Sequence, residues 1–278
     1  MGFFYEKVSE ERRREIEEFA EFLWDEYSID GRIDPLKILT EKEITHSFRD
    51  YGDAFDGLLE YEAGEFHVYL NQQRLGGIAR PRTRFTISHE LGHYFIDKHR
   101  NGMIAGTLSP PGSFSAYQSD KIIEIEADHF ASHLLMPSSL FANKVAKEAL
   151  GLKAVIQLSE AFGTSRTACG VRYVENEIMP CALFKWSKSG LDWKFLSDGF
   201  YRSGLKYSMK NGAAAPEGSG TKQVLESLKK PTGVVKRGSC VNTWFPNISV
   251  GSSKNEILIE ETISLGTFGA LTLVYREI

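Results

Sequence analysis

Two stretches decide the reading of this chain: His89-Glu90-Leu91-Gly92-His93, and Lys121 to Pro137, which runs KIIEIEADHFASHLLMP. On a helix, residues four apart lie one above the other. His89 and His93 can then reach a single zinc ion at about 2.0–2.1 Å. Glu90 sits between them, placed to take a proton from an attacking water and hand it to a leaving amine. Phe85, Ile87, Leu91 and Phe95 predict the core-facing side of that helix, which spans about 82–98. The second stretch predicts another helix, stopped by Pro137. There Glu124 and Asp128 share a face, and Ala127 and Ala131 are small enough for close packing on the histidine helix. Zinc in such a site takes a third protein ligand. Glu124 is the candidate for that place, with Asp128 orienting the second nitrogen of one histidine, although taken alone Glu124 and Glu126 read more simply as a solvated helix face. Glu126 points elsewhere round the helix and is the weaker candidate.

The flanking sequence supplies a scaffold. Ser9 caps a helix over 9–27, with Glu10 and Glu11 at its positive end and Ile16, Phe19, Ala20, Leu23 and Tyr27 as its buried face. Asp34-Pro35 starts a shorter helix carrying Leu36 and Leu39 inward. Residues 44–71 read as strands, with a glycine-containing hairpin between Leu58–Tyr61 and Phe66–Leu70. The Phe66–Leu70 strand is expected at a sheet edge, where a substrate backbone could add to it. Gly76-Gly77 forms a joint, and 101–120 reads as a Gly-, Ser- and Pro-rich loop.

Residues 138–178 look helical. Within them, 152–174 has a helix-turn-helix cadence, with Gly163 at the turn, Ser165 as cap, and Arg166 and Arg172 as candidate phosphate contacts. The basic set is small, so a helical pair that bridges domains and recognises protein is at least as good a reading as DNA binding. From Pro180 the texture becomes β-rich: ALFKW, LDWKFL, CVNTWF, EILIEETISL and GALTLVY are separated by Gly, Ser and Asn. Residues 211–220 read as a flexible insertion.

The chain has 278 residues, an apolar fraction of 42%, a charged fraction of 25% and a net charge of −4. That composition is globular and gives no general reason for nucleic-acid or membrane binding. Cys169, Cys181 and Cys240 are scattered and odd in number, which fits a reducing compartment. No run approaches the ~20 apolar residues of a membrane helix, and the N-terminal residues carry charge before any signal-like stretch. The expected location is cytoplasmic. Other histidines read as structural: His46 and His67 are isolated, His99 lacks a preceding glycine turn, and His129 and His133 are expected on the exposed side of their helix. Tyr94 and Tyr117 are the nearest tyrosines that could stabilise an oxyanion, although an ordinary packed role is favoured for both.

HELGH followed by ExEADxFAxxLLMP resembles the ImmA/IrrE family of bacterial zinc metallopeptidases over roughly residues 10–145. The resemblance implies an α+β fold: a compact thermolysin-like zincin domain with a small sheet over 1–145, a helical, helix-turn-helix-like middle over 146–178, and a β-rich, GAF-like sensor or docking domain over 179–278. It implies His89, His93 and Glu124 as zinc ligands and Glu90 as catalytic base. Asp128 stands where the family has Asp or Asn. It further implies a cytoplasmic endopeptidase of narrow specificity, cleaving a helix-turn-helix repressor to induce a stress or mobile-element response. A small-molecule ligand for the C-terminal domain follows by the same analogy. The alternative is a DNA-binding or ligand-sensing regulator whose zinc site is structural or hydrolytically inactive.

Overall fold

The computed structural model describes residues 8–108, 121–145, 150–205, 209–227, 233–246 and 256–277. It is a mixed α+β structure with two sheets, and it divides into two compact units. One comprises the described residues up to 141 together with 159–165; the other comprises 142–158 and the residues from 166 onward.

In the first unit, helix α1 spans Glu10–Tyr27, and Ser9 accepts the Arg12 amide as its cap. Ile16, Ala20 and Leu23 are buried. Phe19 remains partly exposed but lays its ring against Phe95 and Phe130. Helix α2, Pro35–Glu41, is capped by Asp34 and buries Ile38 and Leu39. Strands β1 (Thr45–Arg49), β2 (Gly57–Glu62) and β3 (Glu65–Asn71) follow. Ala63 and Gly64 join β2 to β3 with positive φ at both positions, the requirement of a type I′ hairpin turn.

The strand order corrects one expectation. It is β1-β3-β2, with β1 parallel and β2 antiparallel to β3. The Phe66–Leu70 strand is therefore central, with both of its edges paired, and is closed to strand addition. The parallel partner comes from a segment separated from β3 by the hairpin, which local alternation cannot reveal.

Helix α3 (Gln72–Leu75) ends on Gly76 in the left-handed region. Helix α4 (Pro81–Phe95) begins with proline in its first turn. It stops at Ile96, whose extended backbone starts a separate helix α5, Asp97–Ile104; the single helix to Lys98 is thus two. The loop expected over 101–120 begins as the last turn of α5, and 109–120, with Tyr117, lies outside the described residues. Asp56 is fully buried and bound by Arg74 at 2.7 Å and Arg82 at 2.6 Å, fastening the start of α4 to the connection between β1 and β2.

Helix α6 (Ile122–Leu135) packs on α4. Their closeness depends on Gly92. A Cβ there would lie 3.1 Å from Ala127 Cα and 3.2 Å from Ala127 O, so any side chain at position 92 would push the two helices apart. Helices α7 (Ser138–Val145) and α8 (Leu152–Phe162) span the division between units.

The second unit contains helix α9 (Arg166–Glu175) and a five-stranded sheet. Its strands are β4 (Cys181–Ser187), β5 (Gly190–Leu196), β6 (Val235–Cys240), β7 (Ile257–Ser264) and β8 (Ala270–Arg276), in the antiparallel order β5-β4-β8-β7-β6. Short helices α10 (Asp198–Arg202), α11 (Gly220–Glu226) and α12 (Val241–Trp244) complete it. On one face of β4, Ala182, Phe184 and Trp186 join Phe200, Val224, Val241, Trp244 and Phe245 in the core. On the other face Leu183 meets α9 at Gly170, where a Cβ would lie 3.1 Å from its Cδ2. Coverage of both faces explains why β4 and β8 are almost continuously buried.

Three further readings are corrected in this unit. CVNTWF is a helical turn, because Val241, Trp244 and Phe245 at i, i+3 and i+4 put three apolar side chains on one buried face. Residues 211–220 are not a free insertion: the Leu191 amide donates to Ala213 O, the Gly212 amide donates to Leu191 O, and Ser219 caps α11. Arg172 is buried, as is all of 168–174. The second half of α9 therefore cannot lie in a DNA groove.

No described helix is long and apolar enough to cross a membrane.

Candidate metal centre

Three side chains from two helices meet in the first unit. His89 and His93 leave the same face of α4 and are almost completely buried. Their Nε2 atoms are 3.1 Å apart. Glu124, on the first turn of α6, brings Oε2 to 3.3 Å from His89 Nε2 and Oε1 to 3.4 Å from His93 Nε2. Together they form a group able to hold a metal ion. A tetrahedral ion with bonds of about 2.0–2.1 Å would separate its ligand atoms by about 3.4 Å, so the triangle is already of the right size. Glu124 Oε1 is buried with no hydrogen-bond donor on it. Two imidazole nitrogens and one carboxylate are the donor set that zinc accepts.

The charge distribution suits a cation. Burial opposes charge on His89, yet the Asp128 and Glu124 carboxylates outweigh it and raise the ring's pKa well above its ordinary value. Burial also works against an ionised Glu124, but the two facing imidazoles of His89 and His93 prevail and hold the carboxyl far below the usual range. At His93 burial wins and lowers the pKa, reinforced by the neighbouring His89. The pocket thus keeps an ionised carboxylate and attracts positive charge beside it.

The outer nitrogen of each histidine is also held. His89 Nδ1 lies 2.8 Å from Asp128 Oδ1. A carboxylate can only accept, so Nδ1 carries a proton, and the neutral ring that would bind a metal presents its Nε2 lone pair to the centre. His93 is held by a longer chain, which the sequence reading missed. Its Nδ1 lies 3.2 Å from His99 Nδ1, and His99 Nε2 lies 2.9 Å from Glu126 Oε2. Arg12 of α1 clamps both oxygens of Glu126, from Nε at 3.0 Å and Nη2 at 3.2 Å. Glu126 accepts the Nε2 proton of His99, so neutral His99 accepts at Nδ1. His93 must then donate from Nδ1, which leaves its Nε2 lone pair facing Glu124. Burial opposes the charge on Glu126, but His99 and Arg12 lower its pKa to about 2. The sequence carried one hint of this arrangement: α6 sets five ionisable side chains, Glu124, Glu126, Asp128, His129 and His133, among apolar and small residues, and ionisable groups on a helix that packs in a core need partners from other elements.

Glu90, between the two histidines, is 1% exposed, and its charge acts on His89. Tyr94 packs edge-on against Phe66 of β3, with ring centroids 5.2 Å apart. His129 and His133 are buried against α1, not exposed as their spacing suggests. His67 is bonded to Thr45 and Ser47 within the small sheet. Among the described residues, the three cysteines are free thiols, and burial pushes those of Cys169 and Cys181 up.

Comparison with known proteins bears on this centre. Residues 78–173 match the family model described as the IrrE N-terminal-like domain; the match starts later and runs further than the 10–145 suggested by the motifs. No curated protein matches the chain at a significant level. The solved structure of a Mycobacterium tuberculosis transcriptional regulator aligns over 98% of this chain and 79% of its own, with a TM-score of 0.59 and 13% identity. At that identity the likeness is one of fold.

Proposed function

Residues 78–173 of this chain belong to the IrrE N-terminal-like domain family, and on that premise we propose that the protein is a zinc endopeptidase of narrow specificity. The observation that carries the reading is the triangle of His89, His93 and Glu124, with ligand atoms 3.1–3.4 Å apart and Glu90 buried beside it. A bound zinc ion would polarise the scissile carbonyl and acidify the water that attacks it. Glu90 takes the proton from that water as its oxygen bonds to the carbonyl carbon, then delivers it to the departing amine nitrogen as the peptide bond breaks. Asp128, and His99 with Glu126, keep the two ligand histidines in the tautomer that faces inward.

The finer assignment follows from the same reading. Residues 1–145 act as a zincin-like peptidase domain, 146–178 as a helical, helix-turn-helix-like segment, and 179–278 as a GAF-like module that docks substrate or senses a small molecule. The substrate is a helix-turn-helix transcriptional repressor, cut in the cytoplasm to release a stress or mobile-element response. Restricted docking would spare other proteins of the cell.

The test is the full-length Glu90→Gln variant with the repressor encoded beside the gene as substrate. It should keep its zinc and its fold and cleave ~10²–10⁴-fold more slowly, the usual contribution of a positioned base. Cleavage at the normal rate sinks the mechanism.

The second reading is a regulator with a structural metal, and the fold shared with a transcriptional regulator favours it. It requires DNA affinity that falls steeply with salt. The burial of Arg172 and of residues 168–174 takes the second half of α9 out of any such surface and leaves only Arg166 of the two candidate arginines exposed.

A further inference from the structure

The other side of α6 gathers a ligand set of its own. His129 and His133 are four apart, the same spacing as His89 and His93, so both rings leave the helix on one side. They are 8% and 2% exposed, with ring centroids 4.3 Å apart. Facing them, α1 supplies Glu17 and Glu21. His133 Nδ1 lies 3.3 Å from Glu17 Oε1 and 4.0 Å from Glu21 Oε1. His129 donates from Nε2 to the Arg13 carbonyl at 3.1 Å, so its neutral ring carries the lone pair on Nδ1. One ligand atom each from Glu17, His129 and His133 lies within 4.8 Å of the other two.

We propose that Glu17, His129 and His133 form a second divalent-cation site, suited to zinc or a related transition ion and separate from the His89–His93–Glu124 centre. Two imidazoles and a carboxylate are a zinc donor set. The 3.3 Å edge between Glu17 and His133 matches the edges of the first centre, 3.3 Å and 3.4 Å. Glu21 is near enough to serve as the fourth ligand after a small side-chain shift. The same two glutamates receive the first residue of α7: the Ser138 amide donates to Glu21 and its hydroxyl to Glu17. An ion here would cross-link α1 to α6 and brace the start of α7. It would be a closed, structural site, unlike the first, which keeps a position for water and substrate. Because α1 also carries the Arg12 that clamps Glu126, such a brace would help hold the outer support of His93.

The experiment titrates the chelator-stripped full-length protein with Zn²⁺, reading bound equivalents, and repeats the titration with Co²⁺, reading the visible spectrum of each site. The wild type should take two equivalents, the second raising Tm. His133→Asn and Glu17→Gln should each weaken only one equivalent by more than ~10-fold, leaving the other site's cobalt spectrum intact. Glu17 is partly exposed, so its variant remains informative if His133→Asn fails to fold. A single equivalent in the wild type overturns the proposal, as do two equivalents that neither variant disturbs. Glu124→Gln distinguishes this idea from the peptidase reading. It should remove one equivalent and leave the Glu17–His129–His133 ion in place; if it removes neither, the ligand assignment at the first centre fails instead.

Discussion

Both units bury carboxylates, and they satisfy them in opposite ways. In the first unit Glu124 faces two imidazoles whose outer nitrogens are occupied by Asp128 and His99, so lone pairs and a carboxylate converge on one point. In the second unit Glu260 is fully buried and faces donors only: the Thr221 amide at 2.7 Å, the Thr221 hydroxyl at 2.9 Å and the Ser239 hydroxyl at 2.7 Å. Its neighbour Glu261 accepts the Leu152 amide and the Tyr275 hydroxyl, each at 2.7 Å, and also has the Lys236 ammonium 3.6 Å away, so Glu260 is the purer case. A buried carboxylate surrounded by neutral donors is complete and serves the fold. One that meets acceptors instead needs a proton or a cation between them. Burial alone therefore does not mark a functional acid; the identity of its partners does.

The largest contrast should appear in metal binding. Glu124→Gln is expected to weaken zinc by more than the ~10–100-fold typical of losing an outer partner, whereas Glu260→Gln should leave metal content unchanged. Equal losses in the two variants, measured by metal analysis, would break the comparison. Next in size is the chain behind His93. His99→Phe and Glu126→Gln should each cost ~10–100-fold in metal affinity or cleavage. The double variant should cost little more than either alone, because both act through one nitrogen. Additive losses would mean that the two residues work separately.

In the second unit the effect should be on stability. Glu260→Ala leaves buried donors unpaired and should cost about 1–3 kcal/mol, seen as a lower Tm at constant metal content. Unchanged melting would show that water replaces the carboxylate. The smallest effect is at alkaline pH. Burial pushes the Tyr173 phenol from its ordinary 10.0 up to about 12, and burial together with Glu261 also raises that of Tyr275. A raised phenol pKa means that the folded state holds the proton more tightly. Its stabilisation is complete below pH 10 and is lost as pH rises through about 12. Tyrosinate absorbance should accordingly develop late for these two residues, and Tyr173→Phe should flatten the fall of Tm above pH 10. A single ordinary tyrosine titration would contradict the burial argument.

The same division between local and tertiary information governs what could be read in advance. The sequence alone determined the helices around HELGH and EIEADHFASHLLMP, the spacing that unites His89, His93 and Glu124, the hairpin over 57–71 and the β-rich texture after Pro180. Each follows from caps, proline stops and side-chain periodicity within one element. Even the closeness of α4 and α6 was visible, in Ala127 and Ala131, while the part Gly92 plays in it came from the structure. The tertiary structure decided the partners: Arg12 on Glu126, 114 positions away; Glu17 beside His133; β1 against β3, which closed a strand expected to be free; and α9 against the second sheet, which buried Arg172. Periodicity states which face of an element is apolar but not which other element covers it, and a buried polar side chain takes its role from whatever that covering element brings.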